Sequence, residues 1–118
     1  MKLDADVLDD LCTGAVFLAT GGGGDPYVPA LATREALKTF GAVDLLSVAD
    51  LDDDAYVVTI GGVGAPSVSL ELLPSLNEPV TALRAFETHV GRKVDAVVSF
   101  EVGGGSSLIP IVAAAVVV

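Results

Sequence analysis

Two carboxylates lie inside glycine-rich segments of this chain. Asp25 follows Gly21-Gly22-Gly23-Gly24, and Glu101 precedes Gly103-Gly104-Gly105. A loop carboxylate can act as a general acid, a general base or a metal ligand. Asp25 also precedes Pro26 and a predicted helix, so capping that helix is its alternative role. Both carboxylates are candidate catalytic residues.

The glycine segments themselves could bind an anion. Successive glycines let backbone N–H groups converge, and a following helix N-terminus adds partial positive charge. The alternative is that these glycines only supply turns with positive φ. The candidate ligand-binding residues fall in three segments, namely Gly21, Gly22, Gly23 and Gly24, then Gly64, Ala65 and Pro66, then Gly103, Gly104 and Ser106.

Other kinds of site are disfavoured. The chain has neither the spaced glycines of a dinucleotide-binding fold nor the Gly-Lys-Ser/Thr ending of a P-loop, so we expect no nucleotide cofactor. Cys12 and His89 are the only residues of their types and cannot form a tetrahedral zinc site by themselves. Ser106 and Ser107 lack a nucleophile elbow and a His-Asp pair. We expect Cys12 to be a small core residue.

Helices and strands alternate along the chain. Apolar spacing predicts helices over 6–19, about 27–40 and 77–90, with Gly41 and Gly91 ending the last two. Apolar runs predict strands over 42–48, 55–60 and 94–100, the second of them buried on both faces. A strand, a crossover helix and a strand form a parallel βαβ unit. The predicted fold is α/β, a mostly parallel sheet covered by helices in three layers.

This arrangement predicts where a ligand would bind. In open parallel sheets, ligands collect beyond the carboxyl ends of the strands. Segments 61–66 and 101–107 leave two predicted neighbouring strands at that edge, so we expect Glu101 and its glycines to border a crevice with residues 62–66. We expect the loop 21–24 to fold over the same crevice.

Composition narrows the function classes. Sixteen acidic and six basic residues give a net charge of −10, which disfavours binding to nucleic acid or anionic membranes. A single cysteine excludes an internal disulfide, and the N-terminus lacks a signal peptide, so the expected location is cytoplasmic. The uncharged stretch 102–118 is too short and too interrupted to span a membrane. The length of 118 residues fits one domain.

The motifs, taken in order, resemble a known family. Thr20-Gly-Gly-Gly-Gly-Asp-Pro-Tyr27, Gly64-Ala65-Pro66 and Glu101-Val-Gly-Gly-Gly-Ser-Ser-Leu-Ile-Pro110 resemble the N-terminal region of the DUF917 proteins, S-methyl-thiohydantoin desulfurases. The resemblance implies an α/β N-terminal domain of a longer protein with a β-rich second domain. It also implies hydrolysis of hydantoin-like rings, with a small cyclic amide or thiohydantoin as ligand. The alternative is a non-catalytic domain for small-ligand binding or assembly.

The sequence departs from the family at two places. Ser106 stands where the family usually has Asn, and it lacks the paired donor and acceptor of an amide. After Pro110 the chain ends in the apolar segment 111–118 instead of an Asp- and Gly-rich segment, so we expect an incomplete N-terminal domain. Because apolar side chains are more stable when buried than in water, we expect this tail to pack onto its own sheet or against a second copy of the chain. The tail therefore makes the chain prone to self-association.

Overall fold

The computed structural model describes residues 1–65, 67–72, 75 and 77–118. Pro66, one of the candidate ligand-binding residues, lies outside this part. The helices are α1 (Leu8–Ala19), α2 (Tyr27–Phe40), the short α3 (Val68–Glu71), α4 (Glu78–Val90) and α5 (Ile109–Val117). The strands are β1 (Lys2–Leu3), β2 (Val43–Asp44), β3 (Val57–Thr59) and β4 (Ala96–Val98). The fold is therefore α/β, as predicted.

The described strands form two small sheets. β1 pairs antiparallel with β2, and β3 pairs in parallel with β4, so Val57 lies opposite Ala96 and Thr59 opposite Val98. The prediction of a parallel β3–α4–β4 unit is confirmed as regards strand direction. The prediction of one mostly parallel sheet is not met, because the second sheet is antiparallel and separate. The three-layer arrangement stays a prediction.

Two strand predictions were wrong in detail. The strand predicted over 42–48 ends at Asp44, and a 3-10 turn follows at Val48–Asp50. Ser47 begins that turn with a capping box. The Ser47 hydroxyl accepts a hydrogen bond from the Ala49 N–H, and the Asp50 carboxylate accepts one from the Ser47 N–H. Residues 47–50 therefore hydrogen-bond with one another and not with a described strand.

The strand predicted over 55–60 is not buried on both faces. Val58 packs towards the core formed with α4 and α5, whereas Val57 on the opposite face is 40 % exposed. In the neighbouring strand, Val98 is 47 % exposed. Successive side chains of a strand point to opposite faces, so the described helices bury only one face of this pair.

Helix α5 is the centre of the core. It packs against α2, α4 and β4, and it contributes a side chain to each of three apolar clusters. In the first cluster, Ile111 packs with Leu3 and Leu37. In the second, Ala113 packs with Leu83. In the third, Val112 packs with Ala32 and Ala36. The apolar tail thus packs inside its own fold, which is one of the two outcomes predicted for it. None of the described helices is both long enough and apolar enough to cross a membrane.

Candidate functional site

The loops that follow β3 and β4 meet at one edge of the parallel pair. Gly61 lies against the Phe100 ring so closely that a Cβ atom on Gly61 would be 1.8 Å from Phe100 Cε1. Farther along the first loop, Gly64 and Ala65 are exposed, and nothing lies within 4 Å of a Cβ atom built on Gly64. The parallel pairing therefore brings the start of segment 61–66 to the end of β4, as the sequence predicted.

The two glycine loops touch through their backbones. A Cβ atom on Gly23 would lie 2.2 Å from Gly103 Cα, and one on Gly104 would lie 2.4 Å from the Gly24 carbonyl oxygen. The N–H groups of Gly105 and Ser106 both donate to the Gly23 carbonyl at 2.9 Å. Only residues without a side chain permit this approach. We call the contact between residues 21–24 and 103–106 the glycine junction.

Glu101 is held at the glycine junction by a buried hydroxyl. Ser106 Oγ donates to Glu101 Oε1 at 2.8 Å and also lies 3.3 Å from the Gly23 carbonyl oxygen. Ser106 is only 5 % exposed, whereas Glu101 is exposed. A hydroxyl in this position orients one carboxylate oxygen and leaves the rest of the carboxylate open to solvent. The sequence prediction grouped Ser106 with the ligand-binding residues, and the structure turns its hydroxyl towards Glu101.

The backbone donors of the glycine junction divide into two groups. The N–H groups of Gly104, Gly105 and Ser106 donate to carbonyl oxygens of residues 22–24. Gly22 N–H donates to the Ala19 carbonyl at 2.9 Å. Within the described residues, no acceptor lies within hydrogen-bond reach of the N–H groups of Gly21, Gly23 and Gly24. These three N–H groups are therefore unpaired within the described part of the chain.

Asp25 lies two residues before helix α2. Its Oδ1 accepts from the Tyr27 N–H at 2.8 Å, which satisfies one of the free donors at the helix start. Its carbonyl oxygen lies at the junction, 3.3 Å from a Cβ atom built on Gly105. This hydrogen bond of the exposed carboxylate fits the alternative role that the sequence offered for Asp25, and a catalytic role stays a prediction.

Sequence reasoning missed Ser99, which shapes the loop carrying Glu101. Ser99 Oγ lies 2.6 Å from the Glu101 carbonyl oxygen and 2.9 Å from that of Ser106. Ser107 Oγ closes the same loop by accepting from the Gly103 N–H at 3.0 Å. A serine at the end of a strand, two residues before the carboxylate, is the signal that could have indicated this turn.

The family model described as S-Me-THD-like, N-terminal domain matches residues 6–117. The chain belongs to this family. The match includes every candidate residue of the glycine junction, and it confirms the resemblance drawn from the motifs. No curated protein and no solved structure matches the chain.

Two cavities of the S-Me-THD-like domain lie away from the glycine junction. One is an open depression of about 390 Å³ at the end of α4, and one of about 200 Å³ lies between α2, α4 and α5. No candidate residue lines either of them, so the crevice at the junction stays a prediction. In the described part of the domain, no three His, Cys, Asp or Glu side chains form a group that could hold a metal ion.

Cys12 of the S-Me-THD-like domain packs beside the cluster containing Leu8 and Leu108. Burial raises the pKa of its thiol, and the Asp9 carboxylate raises it further while Arg34 opposes the shift. A thiol with a raised pKa is a poor nucleophile at neutral pH. The structure thus agrees with a packing role for this cysteine.

Proposed function

We propose that this domain binds a hydantoin-like ring at the glycine junction and that Glu101 acts there as the general base of a hydrolytic reaction. The observation that carries the proposal is the buried Ser106 hydroxyl, which orients one oxygen of an exposed carboxylate at 2.8 Å. The N–H groups of Gly21, Gly23 and Gly24 would donate to the ring oxygen or nitrogen that gains negative charge.

The reaction implied by the family is hydrolysis of an S-methylated thiohydantoin. Glu101 would take a proton from water as the water oxygen bonds to the ring carbon that carries the S-methyl group. That proton passes to the ring nitrogen of the C=N bond, which becomes an N–H group. The C–S bond then breaks, and methanethiol leaves with the second proton of the water. The ring carbon keeps the oxygen as a carbonyl group, which gives the hydantoin.

Turnover of S-methyl-thiohydantoin by the purified chain tests this proposal. Methanethiol release can be followed with a thiol reagent, with Glu101→Gln as the test variant and Glu35→Gln on the exposed face of α2 as the matched control. We expect Glu101→Gln to lower the rate by about 100-fold or more, and Glu35→Gln to leave it unchanged. Equal rates for the two variants would contradict the role of Glu101.

A second candidate function is non-catalytic ligand binding or assembly. Apolar side chains flank the loop 21–24, with Phe17 79 %, Leu18 67 % and Tyr27 69 % exposed. Exposed apolar groups of this size are typical of surfaces that contact another protein. Binding or oligomerisation without methanethiol release favours this function, and turnover favours the hydrolase.

A further inference from the structure

Half of the basic residues of this acidic chain surround one cavity. The chain has six Lys and Arg residues and a net charge of −10. Three of the six, Arg84, Arg92 and Lys93, line the cavity of about 390 Å³ at the carboxyl end of α4. Glu87 is the only carboxylate among its described lining residues. With Asp95, which lies 3.5 Å from Arg92, three cations stand against two carboxylates, which leaves an excess of one positive charge on a negatively charged protein.

Two of the three cations make contacts with neighbouring groups of the protein. The Arg92 guanidinium donates to the Asp54 carbonyl at 2.7 Å, lies 4.7 Å from the centre of the Tyr56 ring and is 3.5 Å from an Asp95 oxygen. Lys93 Nζ is 2.6 Å from Glu87 Oε2. Side chains that are already ordered lose less entropy when they bind a ligand.

The Glu87 carboxylate is itself buried and fully engaged. Its side chain is 5 % exposed, and its other oxygen, Oε1, accepts from the Val94 N–H at 3.0 Å. It therefore holds Lys93 through the 2.6 Å contact. The Lys93 side chain is 82 % exposed, so it remains open to a ligand.

Among the described residues, Arg84 is the one of these three cations without an ion pair, although, next to the larger effect of the Lys93 hydrogen bond, its charge helps to lower the pKa of the Glu87 carboxyl. Within the described part of the chain, no carboxylate lies within 4.0 Å of its guanidinium, and the side chain is exposed. A guanidinium presents a planar fork of donors that matches the oxygens of a phosphate or a carboxylate. One phosphate or carboxylate group could therefore contact Arg84 together with Arg92 and Lys93.

We propose that this cavity binds a small oxyanion, a phosphate or carboxylate group that Arg84 holds together with Arg92 and Lys93. The cavity lies before β4 begins, whereas Glu101 follows the end of that strand. The proposal is thus independent of the proposed hydrolysis at the glycine junction.

Titration of the isotope-labelled chain with orthophosphate, and separately with citrate, tests this site by NMR at constant ionic strength. We expect saturable shifts of the Gly91, Arg92 and Lys93 amides with at least one of the two anions. Arg84→Gln should weaken binding about tenfold, because it removes a charged hydrogen-bonding group without breaking a described contact. Lys38→Gln, which removes one positive charge from the exposed face of α2, is the matched control.

The comparison of the two anions identifies the ligand chemistry. Tighter binding of orthophosphate assigns the site to phosphate groups, and tighter binding of citrate assigns it to carboxylates. The proposal is overturned if neither anion gives saturable shifts, or if Lys38→Gln weakens binding as much as Arg84→Gln. Unchanged amide spectra away from the cavity confirm that both variants are folded.

Discussion

The Ser106 hydroxyl is 2.8 Å from Glu101 Oε1, although Ser106 is buried and Glu101 is exposed. The same hydroxyl lies 3.3 Å from the Gly23 carbonyl oxygen, which belongs to a loop more than 80 residues earlier in the chain. The buried Ser106 hydroxyl therefore contacts both the Glu101 carboxylate and the first glycine loop, so the position of the carboxylate depends on how the two glycine loops pack.

Ser106→Ala should lower the free energy of unfolding by about 1 kcal/mol, because it removes a hydrogen bond to a carboxylate that can regain water. Urea denaturation measures this change. A double-mutant cycle with Glu101→Ala should give a coupling energy above about 0.5 kcal/mol, since the two side chains are in contact. Additive effects would show that the hydrogen bond contributes nothing in solution.

Glycines 23 and 24 offer a matched pair of variants at the glycine junction. Both have positive φ, 74° and 80°, but a Cβ atom on Gly23 would overlap Gly103 whereas nothing lies within 4 Å of one on Gly24. Gly24→Ala should cost about 1–2 kcal/mol of stability from backbone strain alone. Gly23→Ala should cost clearly more, because the Gly103 backbone must move. Equal unfolding midpoints in urea would contradict the contact.

Glu87 should make the fold sensitive to acid. The hydrogen bond from Lys93 lowers the pKa of this carboxyl, and the Val94 N–H lowers it further. Because the folded pKa is below the unfolded value of about 4.3, the stabilisation is present above that pH and is lost as the pH falls through the folded pKa. Stability measured in urea from pH 6 to pH 3 should therefore fall less steeply for Glu87→Gln than for the unchanged chain. Glu35→Gln should retain the original pH dependence.

Cys12 should react slowly with alkylating reagents at neutral pH. Burial, followed by the Asp9 carboxylate, raises the pKa of its thiol. The rate of reaction with iodoacetamide should therefore have its midpoint above the pH of about 8.5 that is usual for a free cysteine. Asp9→Asn should move that midpoint down. A midpoint below 8.5 in the unchanged chain would contradict the packing role.

The helices were predictable because their signals are local. Apolar spacing gave the limits of α2 without error, and Gly41 and Gly91 end α2 and α4 as predicted, the second with φ of 73°. The parallel direction of β3 and β4 followed from the intervening helix α4. Because parallel strands end at the same edge of a sheet, the contact between Gly61 and the end of β4 was also predictable.

The predictions that failed concerned features that depend on local side-chain hydrogen bonds or on contacts between distant parts of the chain. Residues 47–50, which the apolar pattern assigned to a strand up to residue 48, form a capping box and a 3-10 turn. The exposure of Val57 depends on which faces of the sheet the helices cover, and the sequence of the strand does not show which faces those are. The direct contact of Gly23 with Gly103 could not be read from either loop alone. Segment 111–118 is apolar throughout and has no periodicity that would distinguish a helix from a strand.

Removal of residues 111–118 should unfold the domain. Ile111 is 9 % and Val112 5 % exposed, and burying such side chains contributes about 1.5–3 kcal/mol each. Their loss alone, about 3–6 kcal/mol for the two, is comparable with the lower end of the total stability of about 5–15 kcal/mol that is typical of a domain. A chain ending at Pro110 should therefore lose its cooperative thermal transition by circular dichroism and aggregate in light scattering. A chain ending at Val117, which lacks only the half-exposed Val118, should melt like the unchanged chain. If the chain ending at Pro110 remains monomeric and melts at the same temperature, α5 does not hold the core together.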